Sequence, residues 1–145
     1  MITLPNILRA GLLAAAVAFA GSAMAQTDAA AFTATLSGAA EVPANASAAT
    51  GSLEATMDKS TRVLRWKITY SGLSGPATAA HFHGPAMPGA NAGVALPFTS
   101  AASPIEGQAT LTLEQVADLM AGKWYANVHT AANPGGEIRG QVMVK

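Results

Sequence analysis

The sequence predicts an all-β fold, an antiparallel β-sandwich with one short helix. Seven or eight short segments alternate apolar with polar residues, a period of two that is typical of half-buried strands. Stretches rich in glycine, proline, asparagine and serine separate these segments, and one segment alone has helical spacing. Many short strands and a single helix favour two packed sheets around one core.

The first 25 residues have the features of a secretory signal peptide. Arg9 supplies the positive start, residues 10–20 form an apolar run, and small residues precede Gln26. The run is shorter than the roughly 20 residues that span a bilayer, so we expect no transmembrane segment after cleavage. We therefore expect export to the periplasm or the medium, a short N-terminal tail over 26–31 and a single domain over 32–145.

The composition excludes several classes of function. Without the leader, the chain carries seven Lys and Arg residues against eight Asp and Glu residues, whereas a nucleic-acid binder needs a basic patch. The same balance argues against electrostatic docking on anionic lipid. The chain has no cysteine, which excludes disulfides, a cysteine nucleophile and iron–sulfur clusters. The sequence does not identify the ligand or partner protein.

In the first half of the chain, alternation defines three strands. The first covers 32–36, and a loop over 38–50 follows it. Residues 53–57 and 64–70 alternate again on either side of a turn over 58–61. We expect these two strands to form a hairpin.

In the second half, the strand segments are shorter. We expect a strand over 78–83, followed by a loop over 84–93 that has three glycines and two prolines in ten residues. Short strands over 94–99 and 107–111 precede the helix.

The one helix begins after Thr112. Thr112 and Gln115 form a capping-box pattern, and Gly122 suits the left-handed residue that ends a helix. The segment 124–129 then alternates as a strand, and 138–144 alternates as the last strand.

The three histidines, His81, His83 and His129, lie on two of the expected strands. Residues i and i+2 of a strand share a face about 6–7 Å apart, and apolar residues occupy the opposite face of both strands. We therefore expect the three imidazoles on polar faces, where they can converge on one copper or zinc ion. The alternative is that they are surface residues or hydrogen-bond partners of the loop over 84–93.

Five further residues are candidates to orient the imidazoles or to guide an anion towards them. Tyr125 and Asn127 share a face with the histidine of their own strand. Glu137 and Arg139 are expected on the polar face of the last strand, and Glu41 offers a second carboxylate. For the two glutamates, an ion pair with Arg139 across strands is favoured over a catalytic role.

Five segments of the chain resemble the CHRD domain, a family first named from chordin. They include the motifs His-x-His-Gly, Asn-Val-His-Thr and Gly-Glu-Ile-Arg-Gly-Gln in this order, and the resemblance runs from Phe32 to Val144. It implies an extracytoplasmic β domain, as in secreted bacterial proteins and animal signalling antagonists, here of the small exported bacterial type. It implies no particular activity. The segments are Thr35–Pro43, Ala80–Gly84, Leu111–Leu113, Ala121–Thr130 and Pro134–Gln141.

The expected arrangement is also similar, more loosely, to immunoglobulin-like and copper–zinc superoxide dismutase-like sandwiches. By analogy with the dismutases, His81, His83 and His129 would hold copper, and Arg139 would guide an anion to it. The chain lacks the disulfide, the fourth histidine and the zinc loop of those enzymes. The site therefore resembles a three-histidine, copper-only variant, and likeness of fold does not establish the activity.

Three functions stay open at this point. The first is an exported CHRD-domain binding module that holds a metal ion through the three histidines. The second is a copper-dependent, superoxide dismutase-like metalloenzyme. The third is a structural or adhesive domain without metal, so the sequence leaves open whether the protein is an enzyme.

Overall fold

The computed structural model describes residues 28–145, and the expected signal peptide over 1–25 lies outside the described residues. Within this part of the chain there are nine strands, one short 3-10 turn and one α-helix. These elements are β1 (Ala29–Ser37), the 3-10 turn (Gly38–Ala40), β2 (Thr50–Asp58), β3 (Val63–Ser71), β4 (Ala77–His83), β5 (Val94–Pro97), β6 (Ile105–Thr110), α1 (Leu113–Met120), β7 (Tyr125–Thr130), β8 (Ile138–Gln141) and β9 (Met143–Val144).

The described strands form one antiparallel sheet that curls back on itself. Its strand order is β5-β4-β7-β8-β1-β2-β3-β6, and β9 pairs with β1 beside this path. The pairing is sparsest between β8 and β1, where the residue pair Ser37 and Arg139 joins them. The half made of β5, β4, β7 and β8 therefore faces the half made of β1, β2, β3 and β6, which confirms the predicted all-β sandwich.

The core lies between these two halves. Trp66 of β3 meets Phe82 of β4 edge to face, with ring centroids 5.4 Å apart. Phe82 also contacts Trp124, at 5.5 Å between centroids. Gly84 fits beside this cluster because it has no side chain, and an added Cβ would lie 2.5 Å from the Trp124 ring. The loop after β4 therefore starts in close contact with the core.

The predicted helix is confirmed together with its capping box. The Thr112 hydroxyl accepts the Gln115 N–H at 3.1 Å, and the Gln115 side-chain oxygen accepts the Thr112 N–H at 2.9 Å. Gly122 ends the helix at a φ of 69°, in the left-handed region. Gln115 also donates to the Ala95 carbonyl of β5 at 3.2 Å, which ties the helix to the sheet. Among the described residues, no helix has the length and apolar character needed to cross a membrane.

Most strand boundaries differ from those expected by one to three residues, and two of the differences matter for the fold. β1 begins at Ala29, so it takes in the end of the segment expected to be a tail. The last strand is not continuous over 138–144, because β8 pairs along its length with β7 and only at Arg139 with β1, whereas β9 pairs with β1 alone. Val142 lies at this break, where its N–H donates to the Trp124 carbonyl at 2.9 Å. The chain changes neighbours there as it passes from one half of the sheet to the other.

Candidate metal site

The three histidines meet on one face of the β4–β7 pair. His81 and His83 come from β4, and His129 comes from β7, which runs antiparallel beside it. The Nδ1 of His81 lies 3.1 Å from the Nε2 of His129. One ring nitrogen from each of the three residues lies within 4.8 Å of the other two. The structure therefore brings the predicted ligands together, and the cluster is able to hold a metal ion.

Two of the imidazoles have tautomers that backbone carbonyls determine. The Nδ1 of His83 lies 3.0 Å from the Ala92 carbonyl oxygen, and the Nδ1 of His129 lies 2.9 Å from the Pro134 carbonyl oxygen. A carbonyl only accepts, so each of these Nδ1 atoms carries the hydrogen. The lone pair of each neutral ring is then on Nε2, the atom that a metal ion would bind. The Nε2 of His83 has no partner, whereas the Nε2 of His129 faces Nδ1 of His81.

The spacing of the nitrogens suits a single ion. Nitrogens that bind one zinc ion at about 2.0–2.1 Å lie no more than about 4 Å apart. At tetrahedral angles the nitrogens lie about 3.4 Å apart, so the upper limit of 4.8 Å in the cluster requires a closure of about 1.4 Å around an ion.

Burial favours the neutral form of the histidines on β4. It lowers the pKa of His81, and the neighbouring His129 and His83 lower it further. Burial also lowers the pKa of His83, although the hydrogen bond to Ala92 acts in the opposite direction. Neutral imidazole is the form that binds a metal ion, so both residues are prepared for coordination near neutral pH.

The guanidinium of Arg139 is bonded to the loop over 84–93 and stacks on Tyr125. Its guanidinium donates to the carbonyl of Ala90 and, at 2.9 Å, to Oδ1 of Asn91, both in the loop over 84–93. The same group lies 3.4 Å from the centre of the Tyr125 ring. Arg139 is 2% exposed, so its charge faces the loop and the ring.

Tyr125 connects the histidine cluster to the same loop. Its ring stacks on His83 with centroids 4.9 Å apart and planes within 3°. Its hydroxyl accepts the Ala92 N–H at 3.1 Å and donates to the Ala92 carbonyl at 3.2 Å. His83 donates to that carbonyl too, so the position of the loop depends on the residues of the site.

Asn127 and Glu41 lie on the buried side of the cluster. Asn127 is paired opposite His81 in the β4–β7 register and is 2% exposed. Glu41 ends the 3-10 turn and is 6% exposed. Burial raises the pKa of Glu41 to about 7, although the charge of Arg139 and a backbone hydrogen bond at Val42 lower it.

The carboxylate of Glu137 bonds to hydroxyl and amide groups outside the histidine cluster. Its carboxylate accepts hydrogen bonds from Ser47 at 2.7 Å, from Ser74 at 2.6 and 2.8 Å, and from Thr130 at 2.6 Å. Burial acts to raise the pKa of Glu137, but these bonds outweigh it and lower the pKa to about 2. Glu137 therefore joins three segments of the chain at the end of the sandwich.

The expected ion pair between a glutamate and Arg139 is not formed in the described part of the chain. The salt bridges there all use lysine, and the lysines are exposed on their side chains by 45% or more. Arg139 instead donates to the loop over 84–93, whereas Glu137 accepts from hydroxyl groups. The reason is that loops cover the face of β8 that alternation predicted to be polar and open.

Sequence reasoning missed the residues that orient the site. The carbonyls of Ala92 and Pro134 select the histidine tautomers, but a backbone carbonyl has no residue-type signal. Gly136 was not singled out either, although its φ of 129° and the close approach of Glu41 both require glycine. The sequence signal that points to this position is the run Pro134-Gly135-Gly136, which is typical of a tight turn.

A family model of the CHRD domain matches residues 32–142. The chain belongs to the CHRD domain family. The match covers the three histidines and nearly all of the described sheet, which confirms the resemblance and supports a binding module as the general role. No curated protein and no solved structure matches the chain significantly. The likeness of this CHRD domain to superoxide dismutases therefore rests on the sequence pattern alone.

Proposed function

We propose that this CHRD domain is an exported binding module that holds one copper or zinc ion through His81, His83 and His129. One observation carries the proposal: three imidazole nitrogens converge within 4.8 Å. The carbonyls of Ala92 and Pro134 strengthen it, because they place the lone pairs of two rings on Nε2.

The donor set determines which ions are candidates. Neutral imidazole suits zinc and copper, whereas magnesium and calcium prefer oxygen ligands. The chain has no cysteine, so no thiolate competes for a softer ion. With three histidine ligands, a fourth position is left for water or for a group of a ligand.

Binding is favoured over dismutase-like catalysis by the contacts of Arg139. Electrostatic guidance of an anion needs a charge that faces solvent along its path. The Arg139 guanidinium is buried and donates to the loop over 84–93. The loop, rather than a free cation, therefore borders the cluster on this side.

A structural role without metal is the second candidate, and one observation favours it. Each imidazole of the cluster already has a partner within the protein, since His81 and His129 bond to each other and His83 bonds to Ala92. In that case the histidines hold β4, β7 and the loop together. The domain would then act through a surface rather than through an ion.

Elemental analysis distinguishes these candidates. The mature protein is purified without chelator and without an affinity tag of histidines, beside the double variant His81→Ala/His129→Ala. The exposed substitution Thr69→Ala on β3 is the matched control, because it leaves both histidine strands intact. We expect about one equivalent of copper or zinc in the wild type and the control, and none in the double variant.

The opposite result would support the structural role. If the wild type contains no copper or zinc and takes up neither ion when it is added, the metal site is wrong. N-terminal sequencing of the secreted product tests export separately, and we expect it to start at Gln26.

A further inference from the structure

Three buried polar atoms without a hydrogen-bond partner belong to the histidine cluster and to two residues near it. They are Nε2 of His83, Oδ1 of Asn127 and Oε1 of Glu41. Buried polar atoms in native proteins are nearly always paired, so three together call for a physical explanation. The proposed cation accounts for the first atom, because His83 Nε2 is one of its ligands. It does not account for Glu41.

Asn127 connects the other two residues. Its side chain is close enough to His83 to act on the pKa of that imidazole. Glu41 lies on the other side of Asn127, and both side chains approach Gly136. A Cβ added to Gly136 would lie 2.3 Å from Glu41 Oε1 and 2.8 Å from Asn127 Nδ2. The order across the site is therefore His83, Asn127, Glu41.

The surroundings of Glu41 hold few other charges. It separates two surface depressions, one bordered by Arg139 and Gln141 and the other by the turn over 132–136. Within the described part of the chain, Arg139 is the one other charged residue that borders either depression. A proton on Glu41 can thus reach solvent through a depression. The titratable or charged groups that face this part of the site are Arg139, His83 and His81, which is paired opposite Asn127.

The amide of Asn127 can be placed in two ways, and each suits a different state of its neighbours. In the orientation described, Oδ1 points to the His83 side, and Nδ2 makes only a long contact of 3.5 Å with the Gly135 carbonyl. Turned by 180°, Nδ2 would donate to His83 Nε2, and Oδ1 would accept from a protonated Glu41. The turned amide would match donors to acceptors at all three unpaired atoms. It requires a proton on Glu41 and a closer approach of the three side chains, since neither position of the amide now lies within hydrogen-bond geometry of His83 Nε2 or Glu41 Oε1.

We propose that Glu41 and Asn127 form a relay that exchanges one proton for the cation at the three histidines. Without the cation, the Glu41 carboxyl donates to Asn127 Oδ1, and Asn127 Nδ2 donates to His83 Nε2. The cation takes the His83 lone pair, so the amide turns, Nδ2 donates to the Glu41 carboxylate, and the displaced proton passes to solvent. Glu41 and Asn127 are positioning residues here, since neither is a ligand of the ion.

Charge and acidity both support this exchange. A divalent ion brings two positive charges into a buried site that already contains Arg139, and ionisation of Glu41 compensates one of them. The pKa of Glu41 is raised to about 7, so its carboxyl still holds a proton in mildly acidic solution. The inference rests on the proposed function, because it needs the cation at the histidines.

Proton release on zinc binding tests the relay. Isothermal titration with Zn(II) at pH 6.5, in two buffers with different ionisation enthalpies, counts the protons released per ion bound. The wild type is compared with Glu41→Gln, and Glu54→Gln is the control because Glu54 is an exposed carboxylate on β2. We expect the wild type and the control to release between about one half and one proton more than Glu41→Gln.

Equal proton release by all three proteins would overturn the relay and leave the metal site intact. If the wild type binds no zinc, both the metal site and the relay are overturned. If Glu41→Gln fails to fold, a pH titration of the metal-free wild type followed by NMR replaces the comparison. We expect the Glu41 carboxyl and the Asn127 side-chain amide to shift with one shared midpoint near pH 7, and separate midpoints would contradict the relay.

Discussion

Two buried glutamates in one small domain have opposite environments. Glu137 is inaccessible to solvent and accepts hydrogen bonds from Ser47, Ser74 and Thr130. Glu41 is nearly as buried, but one of its carboxylate oxygens has no partner. The pKa of Glu137 is lowered to about 2, whereas the pKa of Glu41 is raised to about 7.

The difference separates residues that hold the fold from residues of the site. A fully bonded buried carboxylate stabilises the charged form and fixes the segments that donate to it. Unpaired buried atoms cost stability, so they persist where another property is selected. Of the four such atoms in the described residues, three belong to His83 and to its neighbours Asn127 and Glu41, and the fourth is Trp66 Nε1 in the core. The hydrogen bonds of the Glu137 carboxylate go to other residues.

The largest expected effect comes from removing the bonded carboxylate. Glu137→Ala leaves the hydroxyls of Ser47, Ser74 and Thr130 without their acceptor, so we expect it to lower the free energy of unfolding by about 3 kcal/mol. Ser47→Ala removes one donor and should cost about 1 kcal/mol. Urea denaturation measures both values. A loss below about 1 kcal/mol for Glu137→Ala would remove the distinction between the two glutamates.

Next in size is the effect of filling the space beside Glu41. Gly136→Ala places a Cβ 2.3 Å from Glu41 Oε1 at a φ of 129°, so we expect a loss of about 2 kcal/mol together with weaker zinc binding. Gly135→Ala is the matched control, because no atom lies within 4 Å of its added Cβ. Thermal unfolding and zinc titration of the pair give the result. Equal behaviour of the two variants would show that Glu41 does not need the close approach of Gly136.

A smaller effect, with opposite signs for the two glutamates, is expected in the pH dependence of stability. The pKa of Glu41 is raised above its ordinary value of 4.5, so its contribution is complete below pH 4.5 and is lost as pH rises through about 7. The pKa of Glu137 is lowered, so its contribution is complete above pH 4.5 and is lost as pH falls through about 2.

Glu41→Gln should remove the loss of stability that the wild type shows as the pH rises through about 7. Relative to the wild type without metal, we expect it to gain on the order of 1 kcal/mol at pH 8 and little at pH 5. Denaturation at a series of pH values checks this difference. A constant offset between pH 5 and pH 8 would mean that Glu41 titrates as an ordinary carboxyl.

The smallest effect is expected for Glu54→Gln, which changes the exposed carboxylate with which the two buried glutamates are compared. Glu54 is exposed over 75% of its side chain and lies 3.0 Å from Lys145. Exposed ion pairs contribute little, so we expect Glu54→Gln to change the free energy of unfolding by less than about 0.5 kcal/mol at any pH from 5 to 8. A larger change would show that the effects at Glu41 do not come from burial.

Local features of this domain could be predicted from the sequence. The capping box of Thr112 and Gln115 depends on neighbouring residues, and the strand faces of His81, His83 and His129 follow from alternation. These features need no knowledge of distant contacts. The helix is confirmed for this reason, and the three histidines do meet.

Contacts that depend on loops could not be predicted. Alternation placed Arg139 on a polar face, but it has no means of showing that Ala90 and Asn91 fold over that face. Ser47 and Ser74 are 90 and 63 residues from Glu137 and lie in loops, so no periodicity connects them. The break at Val142 likewise depends on which strand lies next to the chain after the end of β8.

The most direct test of the metal site is equilibrium dialysis of the mature protein against Zn(II) and Cu(II), with His81→Ala, His83→Ala and His129→Ala measured singly. Because each imidazole supplies one ligand, we expect one ion per wild-type chain and at least about tenfold weaker binding in every single variant. If any one of the three substitutions leaves the affinity unchanged, or if the wild type binds neither ion, the three histidines do not form one metal site.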